Sequence, residues 1–301
     1  MSKPVSKHIC IIGHGAIGLL WGHHFTAAGH RVTFMSRRQQ LPPSKQCFTS
    51  YDGIESVNEF TFSHQLPHHC DFVLVTTKAY QVFDAISPFL AKITAPIILL
   101  HNGMGAVEAL PLATYQQVML ATTTHGALIN EDSLNHTGLG NTIIGNYQGL
   151  TDRELEHWQQ LLGSALPTVE VHHNIQLPLL LKLAINCVIN PLTAIHQCKN
   201  GELLSSEFDN QIDKLIHEVQ QVISKLEPDW PHSEASLKQA ILDVASATAN
   251  NYSSMAQDVK YGRTTEIAYI NGYLLKQADK LHIPLRETKK LIINLSEVDK
   301  Y

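Results

Sequence analysis

Short hydrophobic runs alternate with longer helical stretches through the first half of the chain. Residues 8–12 form a mostly apolar run that leads into a glycine-rich turn, and residues 16–28 follow with the composition of an apolar helix. Strands buried on both faces read as continuous apolar runs, and strands alternating with helices predict a parallel sheet covered by helices. The same reasoning predicts further strands at residues 31–35, 72–76, 97–100, 118–122 and 168–172, and an extended or hairpin segment at 134–147.

The pattern changes after Thr151, where apolar positions recur at helical spacing and strand signals become rare. We therefore expect two domains: an α/β domain with a Rossmann-type parallel sheet over residues 1–170, and an all-α domain over residues 171–301. Helices are predicted at residues 152–163, 177–196, 206–226, 233–250 and 254–281.

Composition and charge narrow the class of protein. The 301 residues are 44% hydrophobic and 16% charged, with a formal net charge of −5. Proteins that bind nucleic acid present basic patches, and no uninterrupted apolar run here reaches the roughly 20 residues of a membrane span. The five cysteines include no CxxC pair, which favours reduced thiols in a cytoplasmic protein. We expect no nucleic-acid partner and no membrane attachment.

Eighteen histidines raise the question of a metal site. They are scattered along the chain, and no HExxH motif or Cys/His cluster is present. The adjacent pairs at 23/24, 68/69 and 172/173 are poor chelates because neighbouring side chains on a strand or helix point apart. The sequence predicts no bound metal.

A glycine motif follows the first predicted strand and opens the first predicted helix. Gly13-His14-Gly15-Ala16-Ile17-Gly18 matches GxGxxG. In such a motif the first glycine permits the tight turn, the second lets the backbone approach a pyrophosphate, and the third allows close helix packing. The free N–H groups at the helix N-terminus then favour the phosphates. The motif in this context predicts a dinucleotide site.

The residues after the second predicted strand decide which nicotinamide cofactor fits. An NAD enzyme usually carries Asp or Glu there for the ribose 2′-hydroxyl, whereas Arg pairs with the 2′-phosphate of NADP. This chain reads Ser36-Arg37-Arg38, with no acid. A solvated loop that carries two arginines is the competing interpretation. We expect NADP(H) bound through Arg37, and the division of the 2′-phosphate between Arg37 and Arg38 stays open.

Two later strand ends are expected at the same edge of the sheet, where ligands of such sheets bind. Residues 76–81 follow one of these strands and include Lys78 and Gln81, and residues 101–105 follow another. Asn102 there offers an amide to the nicotinamide or to the substrate.

The apolar stretch at 177–195 is interrupted by Lys182, Asn186 and Asn190, spaced i, i+4 and i+8. This spacing places all three on one stripe of a helix that is otherwise apolar nearly all round and hence buried. Burial lowers the pKa of a lysine toward the range useful for proton transfer. Alternatively, Lys182 extends to solvent and the asparagines bond locally. Pro191 is expected to kink the helix and free a carbonyl.

A second polar cluster lies between residues 250 and 272. Ser254 and Asp258 are spaced i, i+4, and Glu266 precedes the apolar run Ile267, Ile270 and Leu274. One interpretation of Glu266 is a surface carboxylate, or a first-turn carboxylate that caps the helix or complements its dipole; a functional carboxylate is the other.

Several of these segments, taken together, resemble the ketopantoate reductase family. They are GxGxxG at 13–18, HNGMG at 101–105, KLAINCVINPLTAI at 182–195, NGEL at 200–203, SSMxQD at 253–258 and TEIxYINGxL at 265–274. The similarity covers nearly the whole chain in the expected order, and only residues 281–301 match poorly.

The resemblance implies a Rossmann-type domain followed by a helical domain like the C-terminal domain of 6-phosphogluconate dehydrogenase. It implies that the protein reduces 2-dehydropantoate to (R)-pantoate with NADPH, on the route to pantothenate and coenzyme A. It also implies a monomer or homodimer that binds this small-molecule substrate. Lys182 matches the general acid and Glu266 its partner carboxylate. The implied substrate contacts are Asn102, Asn186, Asn190, Asn200, Asn251 and Ser254, and the implied cofactor contacts are Gly13, His14, Gly15, Ala16, Ile17, Gly18, Arg37, Lys78, Gln81 and Asn102.

Two other functions compete with this one. Another dehydrogenase of the 6-phosphogluconate dehydrogenase-like group, oxidising a 3-hydroxy acid, would share the Rossmann half and an active lysine, but the motifs at 253–258 and 265–274 argue against it. A non-catalytic NADP(H) sensor would keep the fold for binding alone, but retention of Lys182 and Glu266 argues against that.

Overall fold

The computed structural model describes residues 6–37, 39–130 and 133–298, so Arg38 lies outside the described residues. The chain separates into two compact units, one of residues 1–101 and 106–175 and the other of residues 102–105 and 176–301. Apart from the 102–105 loop, which belongs to the second unit, the division falls between Ile175 and Gln176. The sequence pattern put it between 170 and 171, inside a short strand that pairs with the first unit's sheet.

The first unit contains all twelve strands and three of the α-helices found in the described residues. The strands are β1 (His8–Ile12), β2 (Arg31–Met35), β3 (Lys45–Thr49), β4 (Glu55–Glu59), β5 (Thr61–Ser63), β6 (Phe72–Val75), β7 (Ile97–Leu100), β8 (Val118–Thr123), β9 (Gly126–Asn130), β10 (Ser133–Gly138), β11 (Thr142–Gln148) and β12 (Val169–Val171). The helices are α1 (Ala16–Ala27), α2 (Val82–Ile86) and α3 (Asp152–Ala165).

The larger sheet has the order β12-β11-β8-β7-β6-β1-β2-β5, with every described pair parallel except β8 and β11. Strands β6 and β7 at its centre are fully buried apolar runs, as predicted, and β1 is buried and apolar after His8. Ile12, the last residue of β1, is in register with Met35 of β2 and Val75 of β6. The chain therefore leaves these three strands side by side at one edge of the sheet.

A smaller sheet of the order β4-β3-β10-β9 was not predicted, nor was β5. Strands β3 and β4 are mostly polar and exposed, with Phe48 as the only buried residue between them, so they lack the continuous apolar runs that marked the other strands. The predicted extended segment at 134–147 is confirmed as β10 and β11.

The second unit is helical over the described residues. Its helices are α4 (Gln176–His196), α5 (Asp209–Leu226), α6 (Glu234–Ala247), α7 (Ser254–Lys260), α8 (Asn271–Lys280) and α9 (Arg286–Val298). Helix α4 packs against α5, α6, α7 and α9 and supplies the centre of the core, including Leu183, Val188 and Leu192. Of the described helices, α4 is the one long and apolar enough to meet the composition test for a membrane span, and most of it is buried inside this unit.

The prediction of one continuous helix over 254–281 is wrong. Helix α7 ends at Lys260, Gly262 follows with a φ of 60°, and α8 begins only at Asn271. A left-handed residue ends a helix, and glycine adopts that conformation without a steric penalty. Glu266 therefore lies in the connection between two helices.

Helix α9 was not among the predicted helices. Its N-terminus is held by the buried carboxylate of Glu218, which accepts hydrogen bonds from the backbone N–H groups of Glu287 and Thr288 at 2.8 and 2.9 Å. A side chain distant in sequence thus satisfies donors that every helix start leaves free.

Candidate active site

The turn after β1 has the geometry that a dinucleotide requires. Gly13 has a φ of 109°, and a Cβ there would lie 2.9 Å from the Thr77 nitrogen. A Cβ on Gly18 would collide with the Gly13 carbonyl oxygen and the Thr76 hydroxyl, whereas a Cβ on Gly15 would meet no atom within 4 Å. The turn is thus closed at its first and third glycines and open at its second, where a pyrophosphate would approach.

Thr76, which directly follows β6, the strand beside β1, was missed as a contributor to this turn. Its hydroxyl donates to the Gly13 carbonyl at 2.9 Å, and its backbone N–H donates to the Ile12 carbonyl at 2.9 Å. The signal available in the sequence was its place directly after the apolar run of β6. Thr76 stabilises the conformation of the turn, and we do not add it to the predicted cofactor contacts.

The residues after β2 face the same edge of the sheet. Ser36 is buried, and its hydroxyl lies 3.1 Å from Nε2 of His14, whose ring makes an edge contact with Phe62. Arg37 is exposed. The position that would hold a carboxylate in an NAD-specific site is thus a serine bonded to the glycine turn, with a guanidinium next to it.

The other predicted cofactor residues lie around this turn or after the next strand. Ala16 and Ile17 are partly buried in the first turn of α1. Lys78 and Gln81 are also partly buried, and the Gln81 N–H donates to the Lys78 carbonyl at 2.8 Å. We call the group formed by Gly13–Gly18, Ser36, Arg37 and Lys78 the nucleotide cradle.

In the second unit, Lys182, Asn186 and Asn190 all lie on α4, as the spacing predicted. Lys182 and Asn186 are partly buried and Asn190 is buried. Burial lowers the pKa of Lys182 to about 8, and the charge of Glu266 opposes that shift. A lysine with this pKa exchanges its proton close to neutral pH.

Glu266 and Asn102 accompany Lys182. Glu266 is 3% exposed, and its carboxylate accepts a hydrogen bond from the Asn102 amide at 3.3 Å. Its side chain does not cap the 3₁₀ turn at Ile267–Tyr269 that it precedes. Glu266 is therefore neither a surface carboxylate nor a hydrogen-bonding cap of that turn; its carboxylate bonds the Asn102 amide, and its charge acts on Lys182. We call Asn102, Lys182 and Glu266 the lysine site.

The loop at 102–105 is held to the segment that carries Glu266. The Met104 N–H donates to the Tyr269 carbonyl at 2.9 Å. Gly103 has a φ of 73°, and a Cβ there would lie 2.8 Å from the Tyr269 Cβ and closer still to its carbonyl oxygen. This close approach explains why glycine stands beside Asn102, and it fixes the amide that reaches Glu266.

The remaining predicted substrate contacts form a separate group. The Asn200 amide donates to the Thr248 hydroxyl at 2.8 Å, and the Asn200 N–H donates to the Asn251 carbonyl at 2.9 Å. Asn251 and Ser254 are exposed, and Ser254 is the first residue of α7. These three residues are brought together at one loop, and their described hydrogen bonds do not include the lysine site.

Two buried hydrogen bonds to α4, one from Ser253 before α7 and one from Asn271 at the start of α8, were missed from the sequence. The hydroxyls of Thr193 and Ser253 lie 2.7 Å apart, and Ser253 caps α7 by accepting from the Ala256 N–H. The Asn271 amide donates to the Cys187 carbonyl on α4 at 2.9 Å. Pro191 was the available signal for the second contact, since a proline leaves a carbonyl of the preceding turn without its helical donor.

Within the described residues, no group of three or more His, Cys, Asp or Glu side chains is arranged to hold a metal ion. The five cysteines are free thiols.

Comparison with known proteins gives one family over both units. The family model described as ketopantoate reductase PanE/ApbA matches residues 9–149, and the model described as ketopantoate reductase PanE/ApbA C terminal matches residues 174–298.

Two curated relatives are similar to this chain along most of their length. The 2-dehydropantoate 2-reductase of Vibrio cholerae is 40% identical over 280 residues, which cover 91% of this chain and 91% of the relative. The 2-dehydropantoate 2-reductase of Escherichia coli O157:H7 is 38% identical over 286 residues, which cover 94% of this chain and 92% of the relative.

Solved structures share the fold. A probable 2-dehydropantoate 2-reductase from Bacillus subtilis superposes with a TM-score of 0.78 at 28% identity, covering 97% of this chain and 99% of that one. D-mandelate dehydrogenase with NADH and anilino(oxo)acetate superposes with a TM-score of 0.88 at 19% identity, covering 97% and 98%. The second similarity is one of fold alone.

Proposed function

The chain belongs to the ketopantoate reductase family, and on that premise we propose that it reduces the ketone of 2-dehydropantoate to (R)-pantoate with NADPH. The observation that carries this proposal is the lysine site: an ammonium group with a pKa lowered to about 8 by burial, opposite a buried carboxylate. A proton donor of this kind is what the reduction of a ketone needs. The expected place of the reaction is the cytoplasm, in keeping with five free thiols.

The cofactor is held by the nucleotide cradle. The opening at Gly15 and the crowding at Gly13 and Gly18 fit a pyrophosphate against the N-terminus of α1. Arg37 pairs with the 2′-phosphate of NADP(H), and Ser36 next to it adds no negative charge. His14, Ala16, Ile17, Lys78 and Gln81 complete the cofactor contacts. NADPH, when bound, supplies a hydride to the carbonyl carbon.

Lys182 serves as the general acid. As hydride reaches the carbonyl carbon, the electron pair of the C=O bond moves to oxygen, and the ammonium at Nζ stabilises the negative charge and donates a proton to it. The product is the 2-hydroxy acid, and the neutral amine then recovers a proton from solvent. Glu266 favours the charged form of Lys182 and so keeps the donor protonated near neutral pH.

Amide and hydroxyl groups hold the substrate. Asn186 and Asn190 lie one and two helical turns beyond Lys182 on the same stripe of α4, and Asn102 is directed by its bond to Glu266. Asn200, Asn251 and Ser254 contribute from the loop before α7. These groups donate to the substrate carboxylate and hydroxyl as neutral donors.

The competing enzymatic function is oxidation of a 3-hydroxy acid by a related dehydrogenase. This oxidation would use the same nucleotide cradle and an active lysine, so the fold does not distinguish it from the reduction of ketopantoate. The family match over both units favours the ketopantoate reductase activity.

The test is a panel of initial rates followed by NADPH absorbance. Ketopantoate is compared with pyruvate and other 2-keto acids, each with NADPH and with NADH, and 3-hydroxy acids are assayed with NADP in the reverse direction. We expect ketopantoate with NADPH to have the highest kcat/KM. Oxidation of a 3-hydroxy acid without reduction of ketopantoate would favour the competing function, and binding of NADPH without any turnover would favour a sensor.

A further inference from the structure

Helix α4 continues through a proline, and this leaves one of its carbonyls without the usual donor. The helix runs from Gln176 to His196 with Pro191 inside it. In an α-helix the N–H of residue i bonds the carbonyl of residue i−4, and proline has no N–H. The carbonyl affected is that of Cys187, which lies one helical turn beyond Leu183 and five residues after Lys182.

The side chain of Asn271 supplies the missing donor. Its amide donates to the Cys187 carbonyl at 2.9 Å, and the residue is fully buried at 0% exposure. A buried carbonyl left without a hydrogen bond costs about 1–3 kcal/mol of stability. Position 271 therefore requires a side chain long enough to donate to the Cys187 carbonyl. Asn271 is the first residue of α8 and lies 84 positions from Cys187 in the chain.

Asn271 is also tied closely to Glu266. The Glu266 carbonyl accepts hydrogen bonds from the N–H groups of Tyr269 and Ile270 at 2.9 and 3.1 Å, which folds residues 266–270 into one compact turn directly before Asn271. The Tyr269 carbonyl in that turn accepts from the N–H of Met104, two residues after Asn102. The turn that carries Glu266 is therefore fastened to the loop of Asn102 at one point and to α4 at another.

We propose that Asn271 is a positioning residue of the lysine site, which fixes the Glu266 turn onto the Lys182 helix through the carbonyl that Pro191 releases. The inference rests on the proposed function only in assigning catalysis to Lys182 and Glu266. Lys182 and Glu266 come from segments distant in sequence, and their separation depends on how these segments are held. Misplacement of a catalytic group by about 1 Å costs up to about 100-fold in rate.

Replacing Pro191 by alanine provides a specific rescue. The alanine has an N–H that bonds the Cys187 carbonyl within the helix, so the contact from Asn271 is no longer needed to satisfy that group. If Asn271 acts through this carbonyl, the loss of kcat caused by removing its amide becomes smaller when Pro191 is also replaced. If it acts only as a buried core residue, the effect stays the same in both backgrounds.

The experiment is a double-mutant cycle of Asn271→Leu and Pro191→Ala, with Asn271→Ser as a smaller substitution whose hydroxyl does not reach Cys187. The readouts are kcat and KM for ketopantoate and for NADPH, and the pH dependence of kcat/KM. In the wild-type background we expect Asn271→Leu to lower kcat about tenfold or more, with KM for NADPH changed less than about twofold. In the Pro191→Ala background we expect the loss in kcat to fall below about threefold.

A second readout follows Lys182 without turnover. The pH dependence of Lys182 acetylation by acetic anhydride, measured by peptide mass spectrometry, reports the titration of its amine. We expect Asn271→Leu to move the midpoint toward the ordinary lysine value in the wild-type background, because a loosened site admits water, and to leave it in place in the Pro191→Ala background.

The outcomes separate the two proposals. If the wild-type protein does not reduce ketopantoate, the proposed function fails, and the acetylation midpoints alone decide the role of Asn271. Equal losses of kcat in both backgrounds, or equal midpoint shifts, overturn the positioning role. Lower stability with unchanged kcat and an unchanged midpoint also overturns it, since that result marks Asn271 as structural only. Asn271→Ser is judged by the same criteria if Asn271→Leu does not fold.

Discussion

In the proposed mechanism, the chemistry of the second unit depends on one cationic side chain in an apolar helix. Lys182 is partly buried next to the core residue Leu183 of α4, and burial lowers its pKa to about 8 against the opposing charge of Glu266. An exposed lysine keeps an ordinary pKa above about 10 and would remain protonated throughout the working range of the enzyme. The environment of Lys182 thus converts a permanent charge into a group that gives up its proton.

This pKa predicts the pH dependence of the reduction. The acid must be protonated, so kcat/KM for ketopantoate should be constant below about pH 8 and should fall as pH rises through that value. Initial rates measured from about pH 6 to about pH 10, a range that brackets this pKa, give the pH dependence of kcat/KM. Lys182→Ala is the matched control: its kcat should be lower by about 10²–10⁴ with NADPH still bound, and the limb near pH 8 should be lost. A near-normal kcat in that variant removes Lys182 from its role.

In the proposed function, the choice of NADPH over NADH also depends on single residues. Arg37 is exposed beside Ser36, with no carboxylate at the end of β2. For Arg37→Ala we expect KM for NADPH to rise about tenfold or more, because a charge-assisted pair with the 2′-phosphate is lost, while KM for NADH changes little. Steady-state kinetics with both cofactors measure this. Equal losses for NADPH and NADH would contradict the 2′-phosphate assignment.

At the level of elements, the turn between β1 and α1 offers two glycines with opposite surroundings. A Cβ at Gly18 collides with the Gly13 carbonyl, whereas a Cβ at Gly15 meets nothing within 4 Å. Gly15→Ala should therefore fold with normal stability but bind NADPH at least about tenfold more weakly, since the methyl group occupies the approach of the pyrophosphate. Gly18→Ala should lose stability as well as binding. Thermal unfolding and cofactor titration measure both, and normal NADPH affinity in Gly15→Ala would place the pyrophosphate elsewhere.

The elements that sequence patterns predicted are those with strong local signals. Strands β6 and β7 are continuous apolar runs, and β1, β2 and β8 are largely apolar. The stripe of Lys182, Asn186 and Asn190 follows from helical spacing alone. The break between α7 and α8 was missed because Met255, Val259, Ile267, Ile270 and Leu274 keep nearly helical spacing across it. Gly262 marked the break, but a single glycine is tolerated inside many helices.

Contacts between distant segments were beyond what spacing can predict. Strand β10 pairs with β3 although the whole of β4 to β9 lies between them in the chain, and the Asn271 amide reaches Cys187 across 84 positions. The pairing of Lys182 with Glu266 is of the same kind: the residues were selected from their local context and from family resemblance, and only the folded unit brings their charges together.

At the level of a whole unit, a group of buried histidines in the first unit predicts a stability that is sensitive to acid. His23 and His24 lie on α1, His125 precedes β9, and His136 lies on β10. His125 Nδ1 lies 3.3 Å from His136 Nε2 and accepts from the Gly140 N–H, and the His24 ring is 5.5 Å from that of His136. Burial, with the neighbouring histidines, lowers the pKa of His23, His24 and His125 to about 4.

These shifts set the direction of the pH dependence. The unfolded chain takes up protons on these histidines below about pH 6.5, whereas the folded unit does so only near pH 4, so stability is full above pH 6.5 and is lost as pH falls toward 4. The free energy of unfolding in urea should therefore fall between about pH 7 and pH 4. His125→Gln should reduce that fall and exposed His68→Gln should not; an equal pH dependence in both variants would contradict the assignment.

The central claim is transfer of hydride from NADPH to the ketone of 2-dehydropantoate, and the most direct measurement follows that hydrogen atom. The protein is supplied with ketopantoate and NADPH carrying deuterium at C4 of the nicotinamide, with each of the two C4 epimers in turn, and the product is analysed by mass spectrometry. With one epimer we predict one deuterium in the pantoate formed for each NADPH oxidised, and with the other none. Oxidation of NADPH without deuterated pantoate from either epimer, or no oxidation in the presence of ketopantoate, would contradict the account.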